Sequence, residues 1–485
     1  MKKVILGVKL LVILYLILLI PIPEKEENLI EPTQNPFIWN QDEVWENLEL
    51  SFLKAKSLPD KKLDSIVNSN LMELNFLVEE LEQKTTSPTD SIYSYILNKY
   101  FEVAPFICAQ EEKSDSYITI YNKVRRKIKL DSYHWDMNSS IARNTSYRIL
   151  YGMRAASEEI LLQSNSNDFV STMFVKDEYS NAPTAEILGI NIHSGDLLIS
   201  RGGAEVSAFI SRGNDYPGNF SHVAIVHIDK ETKIPYFIEA HIEKGVAIAT
   251  LNEYLKDEKL RFMVMRPRTD LPNLKSNPML PSDAAYFIYN ESQKRHIPYD
   301  FKMDYYDASA MFCSEVGSYA YKQFGINLWE FKSTISSKGT INWLQTFGVQ
   351  NFVTQMPSDL EYDPLLSVVA EWRNKDVLFK DHLDNAVMDA LITKANKGET
   401  LNFNVWQLPI ARVIKFYSLV LNLIGKDGII PNGMSATMAL KNNDFVQKFK
   451  NCKALTEKKV EDFKETNGYL PPYWELVKFA ETSIN

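Results

Sequence analysis

The apolar positions of the chain fall into three zones with different periods. From 30 to about 180 they recur at steps of three and four, as in "DEVWENLELSFLKA", "SIVNSNLMELNFLVEELEQ" and "NSSIARNTSYRILYGMRAASEEILLQ". That spacing predicts amphipathic helices. "SPTD" at 87–90 predicts a turn and a cap before the next helix. Near Ile190 the pattern shortens. "GDLLIS", "HVAIVHI", "PYFIEAH", "GVAIAT" and "RFMVMRP" predict strands separated by turn residues. "AEVSAFIS", "LNEYLK" and "SDAAYFIYNESQKRH" predict helices among them, and a further helix is expected to open at Cys313 and stop near Gly325. Beyond Asn327 the strands are expected to fade. "PSDLEYDP" reads as a linker, and "LLSVVAEWRN", "DNAVMDALITKAN", "WQLPIARVIKFYSLVLNLIG" and "PPYWELVKFAETS" read as helices.

The resulting organisation is a helical region over 30–180, an α+β core over 185–330 and a C-terminal helical region over 358–485. With 485 residues, 45% of them hydrophobic, the chain is long enough for two or three cores. A net charge of −9 without a long Lys/Arg block speaks against nucleic acid as a partner.

Residues 1–23 stand apart. Lys2 and Lys3 precede an apolar run interrupted by Lys9, and Glu24, Glu26 and Glu27 come after it. The span Val4 to Pro23 reaches across a bilayer if Lys9 snorkels, and the charge bias exports the rest of the chain. The region before a cleavage point would be Leu-Ile-Pro-Ile-Pro, with no small residues. An uncleaved signal anchor is therefore expected, with a cleaved signal peptide as the alternative. Either places the body outside the cytoplasm.

The three cysteines, Cys108, Cys313 and Cys452, are far apart and odd in number, so they form no disulfide framework. Cys108 is expected in a core and Cys452 on a partly exposed helix. Cys313 opens a helix, where unpaired N–H groups favour a thiolate. His222 starts one predicted strand and Glu239 ends another. A thiol, an imidazole and a group that fixes the imidazole tautomer are what a cysteine hydrolase needs. His227 lies five positions beyond His222 and faces the other way in a regular strand. His241, two past Glu239, shares its face and is an alternative orienting group. Tyr299 and Asp300 suggest either a substrate-pocket wall or a turn. Arg201 suggests either a contact to an acidic substrate group or a surface arginine. No metal or cofactor motif is present: HExxH, paired CxxC, EF-hand, GxGxxG and the phosphate loop are all missing.

"SGDLLISRGG", "FSHVAIV", "IEA", "PYD" and "FCSE", in that order, resemble the permuted papain-like cysteine hydrolases, the YiiX-like branch related to NlpC-type amidases. The resemblance covers about 185–330. It implies a small antiparallel sheet or barrel packed on the cysteine helix, with His222 as base, Glu239 as orienter and Cys313 as nucleophile. It implies an amide in a cell-wall peptide as substrate. A lipid esterase or acyltransferase on the same fold, or a non-catalytic binding module, are the competing expectations.

Overall fold

The computed structural model describes residues 2–20, 35–39, 42–164, 172–175, 178–424, 426 and 428–484. The acidic flank at Glu24, Glu26 and Glu27, and the expected end of the apolar span at Pro23, lie outside these residues.

The N-terminal helices form where the apolar period requires them. Asp60–Glu82 buries Leu63, Val67, Leu71, Leu74, Val78 and Leu81, one stripe of a regular helix. After the predicted turn, the Asp90 carboxylate accepts the Ile92 N–H and the helix Ile92–Ala109 begins. The long expected helix after Asn138 runs from Ser140 to Gln163 with one wide π-helical turn at Arg148–Gly152. Gly152 permits that packing: a Cβ there would stand 2.7 Å from the Trp39 ring.

Seven antiparallel strands make the central sheet. Their spatial order is Thr172–Phe174, Leu366–Arg373, Lys259–Pro267, Leu197–Gly202, His222–Ile228, Pro235–His241 and Gly245–Thr250. Side chains alternate between its faces. Leu197, Ile199, Val223, Ile225 and Ile238 point to a core shared with Val316, Ala320 and Tyr321 of the helix Cys313–Lys322. Leu198, Ala224, Val226, Phe237 and Val264 fill a second core on the other face. Gly317 lets the cysteine helix approach the sheet, since a Cβ there would come within 2.5 Å of Leu197 Cδ2. The expected α+β architecture, an antiparallel sheet on a cysteine-bearing helix with helical regions at both ends, is what the chain forms.

Three readings need correction. "LLSVVAEWRN" is not helical: Leu366–Arg373 is an inner strand, between Lys259–Pro267 and Thr172–Phe174. Its β-branched Val368 and Val369 are buried on the two opposite faces of the sheet. The sheet therefore extends beyond both limits of the expected 185–330 core. "PSDLEYDP" is no linker. It contains the short helix Asp359–Tyr362, and Asp359, Glu361 and Asp363 are all buried. Arg143 Nη2 pairs with Asp359 at 2.7 Å, Arg154 Nη1 pairs with Glu361, and Lys129 Nζ donates to the carbonyls of Glu361 and Asp363. This buried seam ties the N-terminal helices to the sheet. Third, Cys452 is buried in the 32-residue helix Ala436–Asn467, because Tyr473–Glu481 folds back over it and Ala480 O accepts from its thiol.

The apolar N-terminal run forms the helix Lys2–Leu19, which packs beside Leu408–Leu423. Among the described residues no helix is long and apolar enough to cross a membrane.

Candidate active site

The neighbouring strands His222–Ile228 and Pro235–His241 set Ala224 opposite Glu239. With a period of two, His222 falls on the face of Ala224, and His241 on the face of Glu239. All three polar side chains thus meet. His222 Nε2 lies 2.6 Å from Glu239 Oε2, and His241 Nε2 lies 3.0 Å from Oε1 of the same carboxylate. Glu239 is buried, while His222 keeps 20% of its side-chain surface exposed.

A neutral His222 that donates from Nε2 to Glu239 leaves the lone pair of Nδ1 free. Among the described residues Nδ1 has no hydrogen-bond partner. Glu239 therefore stands as the direct partner of His222. His241 braces the same carboxylate from its other oxygen. Burial alone would raise the Glu239 carboxyl, but hydrogen bonds from both histidines outweigh it and hold it well below the usual carboxylate range. The hydrogen bond to Glu239 raises His241 above the ordinary 6.5, against the effect of burial.

The two shifts give opposite pH dependences. The Glu239 contribution to stability is present above its unfolded value and is lost as acid protonates the folded carboxylate. The His241 contribution is present below 6.5 and is lost as pH rises through its raised folded value. An imidazole NMR titration is expected to place the His241 midpoint above 6.5 and to return it towards 6.5 in Glu239→Gln. An unchanged midpoint in that variant would contradict the pairing.

Cys313 begins its helix after an extended Phe312. The Glu315 carboxyl group caps this start by accepting the Phe312 N–H at 2.8 Å. The thiol is 4% exposed. Its Sγ lies 3.7 Å from Ser221 O, against the backbone that leads into His222. Among the described residues no thiol–imidazole hydrogen bond is formed. Burial pushes the thiol up to about 12, although the N–H groups of Val223, Ser314 and Cys313 itself pull the other way. This reverses the expected helix-terminus effect, because desolvation of a thiolate outweighs the partial charge of a few amides. The resting thiol is protonated. Its alkylation by iodoacetamide is accordingly expected to be slow at pH 7 and to accelerate through pH 10, read by peptide mass. A plateau below pH 7 that vanishes in His222→Ala would instead reveal a preformed thiolate–imidazolium pair.

The remaining candidates divide. Tyr299 forms an isolated bridge with Met311, and its buried hydroxyl is raised by burial and further by Cys313 beside it. It belongs to the surroundings of the thiol. The Asp300 carboxylate closes the adjoining turn, as the turn reading expects, by accepting N–H groups of Lys302 and Asp304. Arg201 is neither a surface residue nor a substrate contact. It is fully buried, with Nε 3.2 Å from Asp381 Oδ1, and so links the sheet to the helix Lys375–Asn396. His227 faces away and packs on Tyr289, with ring centroids 4.7 Å apart.

Sequence reasoning passed over Glu315. Burial, with Asp300, Asp304 and Asp307 nearby, pushes its carboxyl up to about 9, so a neutral acid sits two residues from Cys313. Its place three residues past Phe312, a capping position, was the available signal.

The donor atoms of His222, Glu239 and His241 lie within 4.8 Å of one another, a set that suits a divalent metal. Here those atoms are committed to each other's hydrogen bonds. An aromatic-walled cavity of about 310 Å³, lined by Trp39, Trp45, Tyr147, Tyr473 and Trp474 among others, includes none of Cys313, His222 and Glu239.

A cysteine at a helix start, packed against the strand of a histidine that is held by an acid on the next strand, with the histidine first in the chain, defines a permuted papain-like hydrolase. Residues 191–370 match the family described as permuted papain-like amidase enzyme, YaeF/YiiX, C92 family, and this segment is similar to those amidases. By class it is a cysteine hydrolase of amide bonds. The matched segment ends inside the strand Leu366–Arg373, in agreement with the sheet rather than with the shorter core expected from sequence. No curated protein matches the chain.

Proposed function

We propose that Cys313 attacks the carbonyl carbon of an amide in a cell-wall peptide, with His222 as general base and Glu239 as its orienting partner. The observation that carries this reading is the free Nδ1 of an imidazole whose Nε2 is held by Glu239, on the residue directly after the Ser221 carbonyl that the thiol contacts. In this scheme Nδ1 takes the thiol proton as Sγ forms the new bond. The N–H of Cys313 and its helix neighbours stabilise the oxyanion. Collapse breaks the C–N bond, and the proton on His222 passes to the leaving amine. Water, deprotonated by His222, then hydrolyses the thioester and restores the thiol. A base that acts at the moment of attack suits a thiol that rests protonated. Tyr299 lines the approach. The body acts outside the cytoplasm, with the apolar helix Lys2–Leu19 resting at the membrane surface rather than crossing it.

Incubation of the full chain with purified muropeptides, followed by mass spectrometry, tests the reading. A new amine and a new carboxylate in equal amounts are expected from the native chain and not from Cys313→Ala. Release of fatty acid from phospholipid vesicles with intact muropeptides would replace the amidase by a lipid esterase. Neither product would leave the binding-module reading.

A further inference from the structure

The helix Leu408–Leu423 turns its apolar side to solvent. Ile410, Val413, Phe416, Tyr417, Val420 and Leu423 are exposed by 60, 57, 69, 53, 41 and 85%. Their spacing of three and four makes one continuous stripe along the helix. On a surface helix that stripe is ordinarily polar, and an exposed apolar patch of this extent marks a contact surface. No charged residue interrupts it. The two cations of the helix turn aside: Arg412 Nη1 donates to Leu18 O at 2.7 Å, and Lys415 Nζ donates to the carbonyls of Pro431 and Asn432.

The Arg412 bond places this helix next to the N-terminal one, where Tyr15 OH also donates to Trp406 O at 2.7 Å. There the five consecutive residues Leu10 to Leu14 are all more than half exposed. Five consecutive helical positions cover every side of a helix, at about 100° each. A protein partner buries one stripe; hydrocarbon covers all sides. This favours lipid over protein as the occupant of the joint surface. With a net charge of −9, attraction to anionic headgroups does not drive the contact, and zwitterionic lipid serves as well.

We propose that the outer stripe of Leu408–Leu423 is a second lipid-contacting element. It lies in the bilayer interface beside the N-terminal helix. At 16 residues the helix is about 24 Å long, shorter than the roughly 30 Å hydrocarbon layer, so it lies along the membrane and does not cross it. The exposed Trp406 at its start belongs to the headgroup level. The inference extends the membrane part of the proposed function and is independent of the amidase chemistry.

The test uses the full chain and dioleoylphosphatidylcholine vesicles. A nitrobenzoxadiazole label is placed at Phe416→Cys or Val420→Cys, with Lys458→Cys as an exposed control and the native cysteines as background. The labels at 416 and 420 are expected to shift to the blue on vesicle addition and to be quenched by brominated lipid, with the label at 458 unchanged. The triple variant Phe416→Ser, Val420→Ser, Leu423→Ser, altered only at exposed positions, is expected to lower the partition coefficient by at least about tenfold, the equivalent of one such side chain leaving hydrocarbon. Flotation with vesicles while 416 and 420 stay aqueous would overturn the inference and leave the N-terminal anchor standing. No flotation would overturn both. A blue shift without vesicles that grows with protein concentration would overturn it in favour of a second copy as the covering partner.

Discussion

Cys313→Ala is expected to reduce amide hydrolysis by about 10⁴-fold or more in kcat/KM while leaving the melting temperature within a few degrees of the native chain. In the proposed scheme the thiol forms the covalent intermediate, and the adjacent Ser314 does not stand in for it: its Oγ is turned away and donates to Gln355 O at 2.7 Å. Loss of a small buried thiol leaves a cavity of only one atom, so the fold survives. His222→Ala is expected to cost a similar factor. The double variant should be little worse than either single one, because base and nucleophile act in one step. Glu239→Gln keeps the shape and a hydrogen bond but loses the charge that stabilises the imidazolium, so a smaller loss, about 10²–10³-fold, is expected. Steady-state kinetics on the muropeptide product read all four. Substantial turnover in Cys313→Ala would remove the thiol from the chemistry, and full activity in Glu239→Gln would move the orienting role to His241.

The second large effect concerns stability. Glu361→Ala is expected to destabilise the chain by about 3–5 kcal/mol, seen as a lower urea midpoint. The Arg154 side chain is 1% exposed, and removal of Glu361 leaves its guanidinium with Asn219 at 2.9 Å and Glu158 at 3.8 Å. Those groups do not replace a direct charged partner, since Glu158 already serves Arg261, Arg373 and His382. Truncating one member of a buried pair strands the other, and that desolvated charge accounts for most of the cost. Glu361→Gln keeps an acceptor and should lose less. An unchanged midpoint in Glu361→Ala would mean that water enters the seam.

The cluster of His222, Glu239 and His241 was legible in the sequence because strand parity is a local rule; how the cysteine helix seats against Val223 and Ile225 was not. His222 and Glu239 belong to adjacent strands, and the two-residue step from Glu239 to His241 sets both on one side. The same rule excluded His227. What failed depended on distant parts of the chain. "LLSVVAEWRN" is a short apolar run whose period does not separate helix from strand. Its strand partners are Lys259–Pro267, about 100 residues earlier, and Thr172–Phe174, about 200 earlier. "PSDLEYDP" carries the acids and proline of a linker, yet its Asp359 and Glu361 carboxylates are paired with arginines on the N-terminal helices. Arg201 looked exposed for want of Asp381, on a helix 180 residues on. For Cys313 the position at a helix start is a local feature, but the depth at which the helix seats the thiol, and hence its protonation, depends on the packing of Gly317 against Leu197.

The seam also sets a timetable for synthesis. Arg143 and Arg154 leave the ribosome 216 and 207 residues before Asp359 and Glu361. At about 5–20 residues per second that is a delay of roughly 10–40 s. During it the helical arm has its apolar stripes but not the carboxylates that neutralise its inward cations. The arm's packing against the sheet waits for them, so a chain stalled between 164 and 357 has made Arg143 and Arg154 but not the Asp359 and Glu361 that pair with them.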